Sequence, residues 1–159
     1  MRKIKQNKTE GNIFLHSMPG RNEEIAIFMD NLRTGKITAI ISLTSKDEIR
    51  SKSPGFGKLI QDKNFMGFTH LFNPVADFGI PSSEQELAVY RKTILQAAEL
   101  LENSNILIHC GAGIGRTGTF AVILLRRLGF DFETASTIVK NAGSDPETDE
   151  QRLFAKDFR

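Results

Sequence analysis

The chain of 159 residues has one cysteine, no tryptophan and a formal net charge of only +2. One cysteine excludes an internal disulfide and any cysteine-rich metal site, so Cys110 is either a small buried hydrophobe or a reactive thiol. The charge is too small and too evenly spread to call for nucleic acid. No apolar stretch approaches the length needed to span a bilayer, and no apolar run follows the basic start MRKIKQNK as a secretory signal would require. Internal repeats and low-complexity linkers are also lacking. These absences lead to an expectation of a cytoplasmic monomer with neither a nucleic-acid nor a membrane partner. Residues 1–10 read as a solvated basic tail and 11–159 as one domain.

What is there alternates between strand and helix. Residues 12–16 read as a short strand and 37–43 (ITAIISL) as a strand buried on both faces. Ile25, Phe28, Met29 and Leu32 share the spacing of one helical face. Residues 69–72 read as a further strand, whereas 45–68 follows no period and is left unassigned. Ser83 opens a long helix to about residue 102, with Glu86 completing a capping-box pattern. A short apolar strand, 106–108, runs into a glycine-rich loop, and helices follow at 117–128, 132–141 and 146–158. The alternation implies a single α/β domain with a central, mostly parallel sheet of four or five strands, covered by helices on both faces.

The loop between strand 106–108 and the next helix carries the chemistry. Its sequence is His109-Cys110-Gly111-Ala112-Gly113-Ile114-Gly115-Arg116-Thr117-Gly118. Three glycines in five positions let the backbone curl until its N–H groups converge on one point, an anion-binding nest. The following helix adds unpaired N–H groups and the positive end of its dipole. A cysteine at the mouth of such a nest is expected to ionise to the nucleophilic thiolate. Arg116 offers a planar fork suited to two phosphate oxygens. The backbone of Gly111, Ala112, Gly113, Ile114 and Gly115, together with Arg116, is therefore the expected phosphate cradle. His109 is expected to turn to the other side of the strand and hydrogen-bond the loop backbone. Thr117 is expected to give its hydroxyl to the Cys110 sulfur, to cap the helix, or to do both. A dinucleotide loop would leave Cys110 and Arg116 without a purpose, and no Gly-Lys-Ser/Thr follows as a nucleotide-binding P-loop needs.

This segment resembles the H-C-x5-R-[S/T] signature of the cysteine-based protein tyrosine phosphatase superfamily, in the spelling H-C-x-A-G-x-G-R-T-G. The short chain is similar to the dual-specificity branch. The resemblance spans about 13–154, although only the signature loop is highly specific. It implies hydrolysis of phosphotyrosine, with phosphoserine and phosphothreonine also open, on a phosphorylated protein substrate through a phosphocysteine intermediate. In that family the histidine beside the cysteine supports the thiolate. The general acid lies upstream in a D-[F/Y/H]-x-x-P loop, which Asp77 to Pro81 match. The tryptophan that opens this loop in tyrosine-specific members is missing. A late glutamine that orients the hydrolytic water corresponds to Gln151. No metal or other cofactor is implied, because Arg116 and the backbone amides supply the positive charge. A phosphoinositide or small-ester phosphatase, a phosphopeptide-binding module without catalysis and a rhodanese-like sulfur transferase are the rival readings. The absence of lysine within the loop weighs against the first. The joint presence of Cys110, Arg116 and Asp77 weighs against the other two. Asp77-Phe78-Gly79 also spells the kinase metal-binding triplet, but no other kinase motif accompanies it.

Overall fold

Strand β5 (Asn105–His109) is apolar toward both faces, and the sheet is built around it. In the computed structural model, which describes residues 1–62 and 67–158, β5 lies between β2 (Ile13–His16) and β3 (Ile37–Ser42) and runs parallel to both. β4 (Thr69–Phe72) continues the sheet beyond β3, also parallel. β1 (Arg2–Lys3) adds a short antiparallel edge beside β2. The α/β domain expected from the sequence is what forms, with a five-stranded sheet in the order β1-β2-β5-β3-β4.

Alternation along β5 divides the core in two. Ile106 and Ile108 pack with Tyr90, Phe120, Val139 and Ala155. These come respectively from α4 (Glu84–Leu100), α5 (Gly115–Arg127), α6 (Phe132–Asn141) and α7 (Asp149–Asp157). Leu107 faces the other way, against Phe28 and Leu32 of α1 (Ile25–Thr34), Ile49 of α2 (Lys46–Lys52) and Phe56 of α3 (Pro54–Leu59). Helix α5 is enclosed on all sides, with every residue from Gly115 to Leu125 buried. Its start therefore has little freedom to move relative to the end of β5. At Gly118 a Cβ would meet the Asp145 backbone at 2.6 Å, so only glycine lets the segment before α7 cross this closely.

Two expectations need correction. The start of the chain is not a solvated tail: Arg2–Lys3 pair with β2, Ile4 is 1% exposed, and its N–H reaches the Ile13 carbonyl at 2.9 Å. The unassigned segment 45–68 contains α2 and α3. Seven and six residues are too few to display a helical period, but both helices are capped. Ser45 accepts from the Glu48 N–H, Ser53 accepts from the Phe56 N–H, and Pro54 opens α3. Residues 63–66 of that segment lie outside the described residues. The Ser83 cap forms as expected, and the Glu86 carboxylate reaches back chiefly to the N–H and hydroxyl of Ser82, with a weaker contribution from the Ser83 N–H.

Candidate active site

The loop from Cys110 to Arg116 joins the central strand to the buried helix, at the carboxyl end of the parallel strands. Its carbonyls are held on the outside. The Gly111 carbonyl accepts from the Met18 N–H at 3.2 Å and from Arg21 at 3.1 Å. The Gly113 carbonyl accepts from the Ser144 hydroxyl at 2.7 Å and from the Arg2 guanidinium. In a trans peptide the N–H points opposite to the C=O. The N–H groups of Ala112 and Ile114 are thereby turned inward, as a nest requires. Gly113 has φ +76°, and a Cβ there would come 2.3 Å from the His16 carbonyl oxygen. Its own N–H donates to Cys110 Sγ at 3.2 Å. No side chain caps α5, whose N-cap is Ile114, so its first amides stay available to an anion. Cys110 is 2% exposed, whereas Ala112 and Ile114 stand at the exposed rim.

A buried polar chain lies beneath the loop. His109 Nδ1 is 3.4 Å from the Cys110 carbonyl, its Nε2 is 2.6 Å from Ser42 Oγ, and Ser42 Oγ is 2.7 Å from His70 Nε2. Burial holds both rings neutral, lowering His109 to about 3 and His70 to about 4. A carbonyl can only accept, which places the His109 proton on Nδ1 and makes Nε2 an acceptor. The Ser42 hydroxyl then donates to His109, and His70 Nε2–H donates to Ser42. The hydrogen bonds run in one direction from β4 through β3 to the backbone of Cys110. The expected loop-backbone contact of His109 is present, with Ser42 and His70 as supports that sequence reading missed.

Arg116 is almost completely buried, and its fork is already occupied. Glu48 holds it bidentately, Oε2 to NH1 at 2.9 Å and Oε1 to NH2 at 3.1 Å. NH1 also donates to the Val75 carbonyl at 3.1 Å, and NH2 forms an ion pair with Asp77 Oδ1 at 2.8 Å. Burial opposes the charge, but Glu48 and the neighbouring negative groups outweigh it and raise the Arg116 pKa above its ordinary value. Burial also opposes the Glu48 carboxylate, and the hydrogen bonds from Arg116 and Lys52 overcome it to hold that pKa low. NH1 is thus fully committed. The donors left for a phosphate are Nε–H and the NH2 hydrogen that Asp77 occupies. Glu48 was not singled out in the sequence; its signal was the Ser45-Lys46-Asp47-Glu48 capping pattern, which marks a helix start.

Asp77 lies against Arg116, with its side chain about half exposed. Gln151 is fully buried and lies at the same site. Its Oε1 accepts from the Glu147 N–H at 2.9 Å and its Nε2 donates to the Gly79 carbonyl at 3.1 Å. Thr117 lies inside α5 and does not cap it, which removes that alternative. Its buried hydroxyl has no hydrogen-bond partner among the described residues. Arg2 and Ser144 are further residues the sequence did not reveal, because their contacts with Gly113 span more than thirty positions.

Known proteins resemble this chain to different extents. Tyrosine-protein phosphatase 3 of Schizosaccharomyces pombe is 30% identical over 100 residues, 59% of this chain and 32% of that protein. The mouse receptor-type tyrosine-protein phosphatase eta is 35% identical over 68 residues, 42% of this chain and 5% of that protein. The chain therefore spans a third or less of the length of these relatives. Among solved structures, kinase-associated phosphatase with its catalytic cysteine replaced by serine matches with a TM-score of 0.79 at 21% identity, covering 95% of this chain and 87% of that one. The active form of Tk-PTP matches at 0.68 and 24% identity, covering 94% of each. At these identities the structures establish a shared fold. Residues 10–156, nearly the whole chain, match the model of the Swiss Army Knife protein DSP-PTPase phosphatase domain, and the chain belongs to that phosphatase family.

Proposed function

We propose that the protein hydrolyses phosphorylated side chains of proteins, phosphotyrosine foremost, through a phosphocysteine on Cys110. The observation that carries this reading is the loop geometry: carbonyls tied outward, the Gly113 N–H on Cys110 Sγ at 3.2 Å, and Arg116 held in plane by Glu48. Phosphate entering the nest takes the Nε and NH2 donors of Arg116 and releases Asp77 from its ion pair. The Cys110 sulfur attacks phosphorus, the bond from phosphorus to the side-chain oxygen breaks, and Asp77, which takes a proton from solvent on leaving the ion pair, gives it to that oxygen. Water then attacks the phosphocysteine, its proton returns to Asp77, and the sulfur–phosphorus bond breaks to restore the thiolate and release phosphate. Thr117, whose hydroxyl is otherwise unpartnered among the described residues, is assigned to support the departing sulfur. The fixed donors stabilise charge that develops in the transition state. The exposed Ala112 and Ile114 at the rim favour an aromatic ester over a strongly anionic headgroup.

The test is hydrolysis of a coloured aryl phosphate by wild type and Cys110→Ser. Turnover is expected to vanish in the variant while inorganic phosphate still binds, because the amide nest is unchanged. Binding without turnover in wild type would instead support a phosphopeptide-binding module. Initial rates on phosphotyrosine peptides, phosphoserine peptides and phosphoinositide vesicles then separate the substrate classes. Preference for the vesicles would overturn the protein-substrate part and leave the hydrolase.

A further inference from the structure

The loop carrying Asp77 is anchored unequally on its two sides. Before Asp77 it is joined to the sheet: Asn73 N–H donates to the Ser42 carbonyl at 2.9 Å and Val75 N–H to the Leu43 carbonyl at 3.2 Å. The Val75 carbonyl in turn accepts from Arg116 NH1. After Asp77, the hydrogen bonds from the loop to other elements, among the described residues, come from the start of α7. Thr148 Oγ1 donates to the Phe78 carbonyl at 3.4 Å, and Gln151 Nε2 donates to the Gly79 carbonyl at 3.1 Å. Between these two sides Phe78 has φ +58°, a conformation that bulky residues rarely hold unless their surroundings impose it. Phe78 itself is exposed, so packing of its ring does not impose that backbone.

The orientation of the Gln151 amide follows from its partners. The Glu147 N–H can only donate and the Gly79 carbonyl can only accept, so Oε1 faces the first and Nε2 the second. The amide bridges α7 and the far side of the acid loop, in a fully buried position. In the resting protein Asp77 is also held by Arg116. That tie breaks when phosphate takes the NH2 donor, which is the moment Asp77 must be placed over the leaving oxygen.

We propose that Gln151 is a positioning residue that latches the acid loop through the Gly79 carbonyl, so that Asp77 stays aimed at the leaving group once Arg116 has turned to phosphate. This rests on the phosphatase reading above and differs from the expectation that Gln151 orients the hydrolytic water. A latch acts in the first chemical step, where the leaving group departs. A water-orienting residue acts in the second step, after it has gone.

The test is Gln151→Glu, which keeps the acceptor for Glu147 N–H but sets an oxygen against the Gly79 carbonyl. Turnover of phosphotyrosine peptide is expected to fall about tenfold or more, a part of the contribution of a well-placed general acid. An aryl phosphate with a strongly activated leaving group should lose less than about threefold, because it needs little protonation. Adding Asp77→Asn to Gln151→Glu should cost the peptide less than Asp77→Asn costs the wild type, because part of the acid's contribution is already gone. An equal loss across the leaving-group series, with a burst of released alcohol, would assign Gln151 to the water and overturn the latch. Wild-type kinetics would overturn it too. Gln151→Met, similar in length and without a donor, replaces the glutamate if that variant fails to fold. Amide exchange of residues 76–80 in the resting protein reads the latch without catalysis. It should quicken in the variant while 110–116 stay unchanged, and equal exchange at 76–80 overturns the proposal. Should wild type hydrolyse no aryl phosphate, the phosphatase reading fails and the exchange measurement alone decides the latch.

Discussion

Arg116 shows how one side chain can be oriented before its ligand arrives. A lone guanidinium in the interior would be costly to bury, but Glu48 neutralises it and fixes the plane of the fork. NH1 is used up by Glu48 and the Val75 carbonyl, so only the Nε and NH2 edge is left for phosphate. The carboxylate of Asp77 holds that edge in the resting protein, at 2.8 Å. Lysine cannot reproduce this, since a point charge has no plane and no second parallel donor. Arg116→Lys is expected to lower kcat/KM by roughly 30- to 1000-fold, the scale of losing one key oxyanion donor, about 2–4 kcal/mol. Steady-state kinetics on an aryl phosphate check this, and a variant within twofold of wild type would remove the fork from the mechanism.

At the scale of the element, the catalytic loop takes its shape from neighbours as much as from its own glycines. Two of its carbonyls are held by groups from the chain start, from the β2 exit and from the segment before α7. Gly113 is the position with no substitute, having both a positive φ and a carbonyl 2.3 Å from any added Cβ. Gly113→Ala must therefore move the N–H that meets Cys110 Sγ. The expected result is a loss of roughly tenfold or more in kcat, with weakened phosphate binding and little change in the far-UV spectrum. Full activity in that variant would show that the loop closes around phosphate without this turn. The signature loop, the strand before it and the helix after it were legible because their meaning is local: a glycine spacing, an apolar run, a capped start. Glu48, Ser42, His70, Arg2 and Ser144 were not, since each acts through a contact distant in sequence and each is of an ordinary residue type. The two-residue strand β1 and the short helices α2 and α3 fall below the length at which any period can be counted. Asp77 sits between these cases, because its loop spelling was readable while its partner Arg116 could be confirmed only in three dimensions.

At the scale of the molecule, catalytic order and acid stability are coupled through the same buried groups. The chain from His70 through Ser42 to His109 crosses three adjacent strands and ends on the backbone of the nucleophile. It works only while His109 is neutral, since its Nε2 must accept from Ser42, and burial holds His70 at about 4 and His109 at about 3. His16, the remaining histidine, is also pushed below its ordinary value by burial, although Glu23 pulls the other way. In the unfolded chain all three take up a proton near pH 6.5. Between that value and the lower folded values the unfolded state binds more protons, so stability rises with pH. The contribution is fully present above about pH 6.5 and is lost as pH falls toward 4. Each buried ring costs about 1.4 kcal/mol per pH unit inside that window. Carboxylates such as Glu48, held low by Arg116 and Lys52, act in the same direction but only below about pH 4.5, so they do not confuse the range from 6.5 to 5. A fall from pH 7.5 to 5.5 should therefore remove roughly 2–3 kcal/mol through His70 and His109 alone, a large share of the stability of an ordinary domain. Thermal unfolding should record this as a drop of about 5–10 °C. His70→Gln keeps a donor for Ser42 and removes one titrating ring, so its profile should be visibly flatter over the same range. A wild-type unfolding temperature that does not change between pH 7.5 and 5.5 would mean these rings take up protons as readily in the fold as in the unfolded chain. The one-way hydrogen-bond chain beneath Cys110 would then be interrupted at pH 5.5, because a protonated His109 can no longer accept from Ser42.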